Sequence, residues 1–289
     1  MPAEKKKVGR PRKARPAYEF LGVMQEPMDP ENVVELLHPV AMHMKKFFGI
    51  FSATSCASVK VRFEPNNFII MGKDHTNKDD IYVQPIMANI GRYFCDAPRT
   101  FEIAATDFGS IMSNIEKTSG QISICVNNRD NKFVAQVHIA DIDSATTSIY
   151  DMNIKEIEDE PLIIPDDSQY PLKFEFSFKG CKSMLSRMLK NGPDFSIEKP
   201  IDGPVQFMSS KKAITTELDV SKIKTNTLDS ILVVSLTIDQ LKHIFVTGAA
   251  DTMLVSVHPK DPLSLNIAIM NEKDASFHVR IFSVLQGMG

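Results

Sequence analysis

The chain has 289 residues, 43% of them hydrophobic, which is enough for about two domains with real cores. No apolar run approaches the ~20 residues that a bilayer demands, and the basic N-terminus lacks the apolar stretch of a secretory signal. The formal charge of −3 is unevenly spread: residues 1–16 hold Lys5, Lys6, Lys7, Arg10, Arg12, Lys13 and Arg15 against Glu4, a net of +6, which leaves −9 on the remainder.

In chain order, residues 1–30 are rich in Lys, Arg and Pro without hydrophobic periodicity, and read as a disordered tail. Residues 18–24 carry enough apolar character to dock on the body. Within the tail, KKKVGRPRKAR resembles the core of an AT-hook. Gly9 lets the backbone approach the groove floor, Pro11 holds it extended, and Arg10 and Arg12 suit a narrow A·T-rich minor groove. A nonspecific polybasic tail or an import signal has the same composition.

The first folded half is expected over 31–155. The stretch 36–54 reads as helical, with the helix at 39–51 opened by Pro39, a favoured first position. Met44, Phe47, Phe48 and Phe51 recur at spacings of three and four and mark its buried face. Strands are predicted at 59–64, 68–72, 81–88, 91–95 and 100–105. A second helix follows, with Asp107 as its N-cap, and then strands at 121–127, 133–139 and 148–154. Residues 156–171, EIEDEPLIIPDDSQYP, form an acidic, Pro-rich connector. Its apolar triplet Leu162-Ile163-Ile164 either packs flat on a domain or walls a partner groove. The second half, 172–289, has helices at 178–190 and 238–247. Strands are predicted at 194–198, 204–208, 213–220, 231–236, 252–257, 263–270 and 276–282.

These elements repeat. VVELLHPVAMHMKKFFGIFSATSCASVKVRF, RTFEIAATDFGSIMSNIEKTSGQISICV, LKFEFSFKGCKSMLSRMLKNGPDFSIEK and ILVVSLTIDQLKHIFVTGAADTMLVSVH each run from a β-rich segment through a short amphipathic helix and a polar turn to an alternating strand. Four such units imply a duplicated architecture and point to a scaffold.

Chemistry-bearing residues agree with a scaffold. Cys56, Cys95, Cys125 and Cys181 form no CxxC pair and read as buried reduced thiols in a chain that is not secreted. The seven histidines have no metal spacing. There is no HExxH, no GxSxG and no Gly-rich phosphate loop. No cofactor, no metal and no enzymatic activity are expected. Cations do recur on the helices: Lys45 and Lys46 on the first, Lys117 near the end of the second, Lys179, Lys182, Arg187 and Lys190 on the third, Lys242 and His243 on the fourth. A solvated face explains any one helix, whereas repetition points to one shared surface for an anion.

In this order and spacing, three stretches resemble the DNA sliding clamps of the proliferating cell nuclear antigen type: YFCDAPRTFEIAATDFGSIMSNIEKTSGQISICV through SIYDMNIKEI, LIIPDDSQYPLKFEFSFKGCKSML, and 241–282 with Asp261-Pro262-Leu263. The resemblance covers about 33–285. The basic N-terminal extension is similar to those of divergent clamp-like proteins of large DNA viruses.

The resemblance implies an α+β, two-domain clamp fold, each domain with two helices packed on antiparallel sheet. Three copies would close head to tail into a homotrimer whose twelve helices line a hole for double-stranded DNA. Lys45 and Lys46 match paired lysines of the family's first helix, while Ser110 and Ser113 stand where lysines are expected on the second. Subunit contact would run edge to edge through Ser148, Tyr150 and Ile154 on one copy and Ile214, Thr216 and Leu218 on the next. Leu162, Ile163, Ile164, Pro165 and Pro262, with Met71, match the pocket for a DNA polymerase and other clamp-binding proteins. The implied function is a processivity factor, opened by a clamp loader and working at the site of DNA replication, in a nucleus or a cytoplasmic viral factory. Two rivals stand: a clamp-fold subunit of a checkpoint-type heteromer or viral late transcription factor, and an AT-hook regulator with a protein-recruiting body.

Overall fold

Residues two apart on a strand share a face, so Val59, Val61 and Phe63 point one way and Lys60, Arg62 and Glu64 the other. The first three are buried and the others are not. The same division recurs along most of the chain and produces a layered α+β molecule. A computed structural model describes residues 22–53, 55–73, 79–116, 119–129, 132–141, 144–158, 170–188, 190, 192, 194–209, 215–217, 223–227, 231–237, 252–258, 263–269 and 277–283.

The first half runs β1 (Gly22–Val23), β2 (Asn32–His38), α1 (Ala41–Ala53), β3 (Ser58–Glu64), β4 (Asn67–Lys73), β5 (Asp79–Pro85), a 3-10 turn at Met87–Asn89, β6 (Arg92–Cys95), β7 (Arg99–Ala104), α2 (Ala105–Ser113), β8 (Ser119–Arg129), β9 (Lys132–Asp141) and β10 (Thr147–Ile157). The second runs β11 (Leu172–Ser177), α3 (Phe178–Met188), β12 (Asp194–Lys199), β13 (Gln206–Ser209), β14 (Thr215–Glu217), β15 (Ile223–Asn226), β16 (Leu232–Thr237), β17 (Thr252–Val257), β18 (Leu263–Ile269) and β19 (Phe277–Ser283).

Fifteen strands join in the order β1-β6-β2-β8-β9-β10-β7-β3-β4-β5-β19-β18-β17-β11-β15, and four more in the order β14-β13-β12-β16. The halves repeat one pairing scheme. β2 lies between β6 and β8, as β11 lies between β15 and β17. The run β8-β9-β10 is matched by β17-β18-β19, and β7-β3-β4-β5 by β16-β12-β13-β14. Three repeated units appear as β2-α1-β3, β7-α2-β8 and β11-α3-β12. The fourth leads from β16 to β17, and its expected helix at 238–247 lies outside the described residues.

α1 buries Met44, Phe48 and Phe51, and α2 buries Phe108, Ile111 and Met112. The two helices meet through Phe48 and Phe108, whose ring centroids are 3.5 Å apart. α1 lies so close to β4 that a Cβ at Gly72 would come within 2.7 Å of the Phe51 ring. The aromatic series continues beneath the helices through Phe63, Phe68 and Tyr93, with Phe68 and Tyr93 stacked at 5.7 Å.

Several expectations change. Leu36–His38 belong to β2 and not to a helix, because a residue before proline is kept out of the helical region. α2 starts at Ala105, and Ala104 at its cap makes no side-chain hydrogen bond. The Ala105 N–H instead donates to Ala57 O at 3.1 Å, and Asp107 sits in the first turn, where a carboxylate suits the helix dipole. The strand expected to reach residue 88 stops at Pro85, which lacks a ladder donor, and gives way to the 3-10 turn. The connector was expected from 156, but Glu156 and Ile157 still pair with Phe101 and Thr100 of β7.

The N-terminal boundary also moves. Residues 22–30, expected within a disordered tail, are placed on the body. Gly22 N–H donates to Gly91 O at 3.3 Å and Met24 N–H to Tyr93 O at 2.8 Å, adding β1 in parallel to β6. A buried ion pair secures the following turn. Arg92 Nε lies 3.0 Å from Glu35 Oε2, and Arg92 Nη2 donates to Glu26 O at 3.0 Å. Glu35 Oε1 also accepts from Met28 N, Asp29 N and Asn32 Nδ2. Burial alone would raise the Glu35 carboxyl, but the hydrogen bonds from Asn32, Met28, Asp29 and Arg92 together hold it below its usual range.

Glu35→Ala leaves Arg92 buried without its carboxylate and is expected to destabilise the fold by about 3–5 kcal/mol in chemical denaturation. Because the folded carboxyl is the stronger acid, its contribution is complete above the unfolded-state value and fades as pH falls. His38 acts in the same direction. Burial, aided by His43, pushes its imidazole down to about 3, so the unfolded chain binds the extra proton between about pH 6.5 and 3. Stability should therefore rise with pH across that window, and His38→Asn, which keeps an acceptor for the Val40 N–H, should flatten the slope.

Candidate nucleic-acid interface and assembly edges

Two groups of sequence candidates, the helical cations and the strand edges, fall on different parts of the fold. On α1, Lys45 and Lys46 are both half-exposed. Lys45 Nζ donates to Ile115 O at 2.6 Å and to Ser113 O at 3.2 Å. These carbonyls close the C-terminal end of α2, where a cation is favoured by the exposed dipole. Lys45 therefore joins the two helices in addition to any contact it makes beyond them. The exposed surface of α2 carries Thr106, Asp107, Ser110 and Ser113 and no cation. Ser113 Oγ donates to Ser110 O at 2.7 Å, so this hydroxyl is directed at the helix.

α3 buries Met184 and Met188 and exposes Ser183, Ser186 and Arg187, with Lys190 exposed just beyond its end. Lys179 and Lys182 lie on α3, their side chains outside the described set. Lys117, Lys242, His243 and the tail cations Lys5, Lys6, Lys7, Arg10, Arg12 and Lys13 also lie outside the described residues.

The edge candidates separate more sharply. Over 147–153, β10 pairs with β9 on one side. Among the described residues no strand occupies its other side. Ser148 is exposed there and Tyr150 half-buried. Ile154 does not share this edge: it pairs with Ile103 of β7 and packs on the core, because β10 changes partners after Asn153. In the four-stranded sheet β14 is the last strand among the described residues, with Thr216 paired to Phe207 of β13. Ile214 and Leu218 lie outside the described residues.

The chain contains a joined version of these two edges. β5 pairs with β19 in antiparallel register, Val83 opposite Val279 and Ile81 opposite Ile281. β5 is the counterpart of β14, and β19 is the counterpart of β10. The seam that unites the two halves thus consists of the same two strand types that are left open at the two ends.

The outer face of this seam holds the one pocket candidate within the described residues. Met71 lies opposite Tyr82, and Tyr82 opposite Arg280, so all three share a face. Phe282 lies on that face too, its ring 5.5 Å from Tyr82. Burial and the nearby Asp80 push the Tyr82 hydroxyl up, leaving it a neutral hydrogen-bonding tip on an apolar body. Tyr82 and Phe282 are absent from the sequence candidates. Tyr82 is half-buried and Phe282 is buried, and only the β5·β19 pairing brings the two rings together. Leu162, Ile163, Ile164, Pro165 and Pro262 lie outside the described residues.

Among the described residues no group of three or more His, Cys, Asp and Glu side chains could hold a metal ion, and no helix is long and apolar enough to cross a membrane. Burial pushes the thiols of Cys95 and Cys125 up to about 11, which keeps both neutral and poorly nucleophilic.

Lys45→Met is expected to cost about 1 kcal/mol by freeing the α2 carbonyls, read as a lower midpoint in chemical denaturation. An unchanged midpoint would refute the assignment of Lys45 to helix closure.

No protein-family model matches the chain. It is similar to the uncharacterized protein E301R of African swine fever virus: in Malawi and Kenya isolates alike it is 23% identical over 201 residues, which span 66% of this chain and 66% of that protein. Among solved structures it is similar to a chain of the PCNA2–PCNA3 complex from Sulfolobus tokodaii. The TM-score is 0.68 at 11% identity, covering 87% of this chain and 99% of that one. Two halves with one pairing scheme, few helices on large antiparallel sheets and an in-chain seam of edge strands together make this the PCNA clamp fold.

Proposed function

We propose that the chain is a DNA polymerase processivity factor: three copies close into a ring that encircles duplex DNA and tethers replication enzymes. The observation that carries this reading is the pair of open edges. β10 and β14 are the counterparts of β19 and β5, which are already joined inside the chain. Repeating that seam between copies is a heterologous contact, and such contacts close into rings when the rotation allows. It also covers two strand edges that would otherwise invite aggregation.

The register follows from the duplication. The inward triplet Val59-Val61-Phe63 corresponds to Phe195-Ile197-Lys199, and Ile122-Ile124-Val126 to Met253-Val255-Val257. Following the pairings outward carries Val83 onto Thr216 and Val279 onto Ser148. Ser148 of one copy is therefore expected opposite Thr216 of the next.

The helices would line the hole, with Lys46, Arg187 and Lys190 among the phosphate contacts, joined by Lys179, Lys182, Lys117, Lys242 and His243. Phosphate contacts hold DNA without reading its sequence. Topological linkage raises the local concentration of a bound enzyme at the template. A partner would seat a short apolar motif on Met71 and Tyr82, backed by the buried Phe282, beneath Leu162, Ile163, Ile164 and Pro165, with Pro262 at its floor. A loader would open the ring, and the AT-hook-like tail would add minor-groove contacts of its own.

The double variant Ser148→Cys with Thr216→Cys tests the reading. Paired strands place Cα atoms about 4.5–5.5 Å apart, within disulfide range. Mild oxidation should yield covalent trimers on a non-reducing gel, with neither single variant doing so, and the cross-linked ring should stay on circular DNA in salt that strips it from linear DNA. A monomeric particle at micromolar concentration would overturn it. A heteromer is the second reading, favoured by a structural neighbour formed from two differently named chains. In that case cross-linking would need a second polypeptide.

A further inference from the structure

The seam inside the chain is sealed by apolar side chains on its core-facing side. Val83 stands opposite Val279 and Ile81 opposite Ile281, and all four are fully buried. The outward side carries Arg280 opposite Tyr82. At the edge of β10 that is open among the described residues, the polarity is reversed. Ser148 holds the register position of Val279, and Ile149 that of Arg280. Ser148 is exposed. Ile149 is 59% exposed, on the outward face of a strand whose inward residues Tyr150 and Met152 pack on the core. On β14 the register position of Val83 is held by Thr216.

We infer that the β10 edge is built for a second copy of this chain, joined by a seam whose core-facing centre is a hydroxyl pair, Ser148 against Thr216, and that this pair makes the external seam separable while the internal valine pair makes its own seam permanent. This rests on the ring reading above. The two seams share one strand pairing, so their ladder hydrogen bonds contribute alike, and the difference lies in the side chains. Valine gains stabilisation in proportion to the apolar area it removes from water. Serine has little such area, and hydroxyls retain a demand for hydrogen bonds that water meets as well as a seam does.

The same chemistry protects the separated edge. A valine pair would leave two core-facing apolar groups in water at each parting, on a strand edge already prone to aggregate. The one large apolar group on this edge, Ile149, would lie opposite Thr215 on the outward side, where water reaches it. The chain thus holds two versions of one joint. The version inside the chain never has to open and is sealed by valines. The version between copies is closed by hydroxyls.

Sedimentation of the full-length chain across a concentration series tests this, with Ser148→Val and Thr216→Val combined. The internal seam holds two valines at this position, so the pair fits. The concentration at which half the chain is trimeric should fall about tenfold or more, and loss of the ring from closed circular DNA should slow by a similar factor. Thr216→Val alone preserves the side-chain shape and should shift assembly the same way by less, which keeps the test open if the double variant aggregates. Assembly unchanged or weakened by the valines, in a chain whose Ser148→Cys, Thr216→Cys pair still cross-links into trimers, overturns the inference and leaves the ring reading standing. A chain that neither forms trimers nor cross-links overturns the ring reading and this inference with it.

Discussion

Backbone N–H and C=O groups along a strand edge must bond to another strand or to water. This chain meets that requirement internally where β5 meets β19 and, among the described residues, leaves it open at β10 and β14. Because the halves share one pairing scheme, the internal seam would serve as the template for the proposed external one. The partner pocket depends on it as well. Tyr82 comes from the first half and Phe282 from the second, and their rings meet only because the seam aligns β5 with β19.

Charge argues for retention by linkage more than by affinity. With residues 1–16 set aside, the body carries −9, so a duplex is attracted only where cations are gathered. The helical surface is itself sparsely cationic. α2 presents serines, a threonine and an aspartate, and Lys45 is bonded to the carbonyls that end α2. In the proposed ring, a surface that need not grip would let the duplex slide. The buried Glu35–Arg92 pair holds the turn that follows β1.

Alternation and helical spacing made much of the fold readable. Val59-Val61-Phe63 announced β3, Met44, Phe48 and Phe51 announced α1, and the strand at 252–257 was read to the residue. The errors lie where local pattern and long-range contact compete. Leu36–His38 looked continuous with the helix, yet they pair with β6 and β8. α2 begins without a side-chain cap because Ala57 across the sheet takes its N–H. Ile154 looked like one more edge residue, but β10 turns to β7 at that point. Residues 22–30, with little hydrophobic pattern, are held by backbone bonds and one ion pair, neither of which leaves a periodic trace.

The amino-acid sequence by itself determined that the chain is a repeated α+β scaffold, with a basic N-terminus and an acidic body, because period, composition and charge are properties of neighbours along the chain. Tertiary structure alone decided which edges are shared and which are open, which lysine is tied to a helix end, and which aromatics meet. Those depend on hydrogen bonds and contacts between residues as far apart as Tyr82 and Phe282, and such pairings are decided only when the sheets assemble.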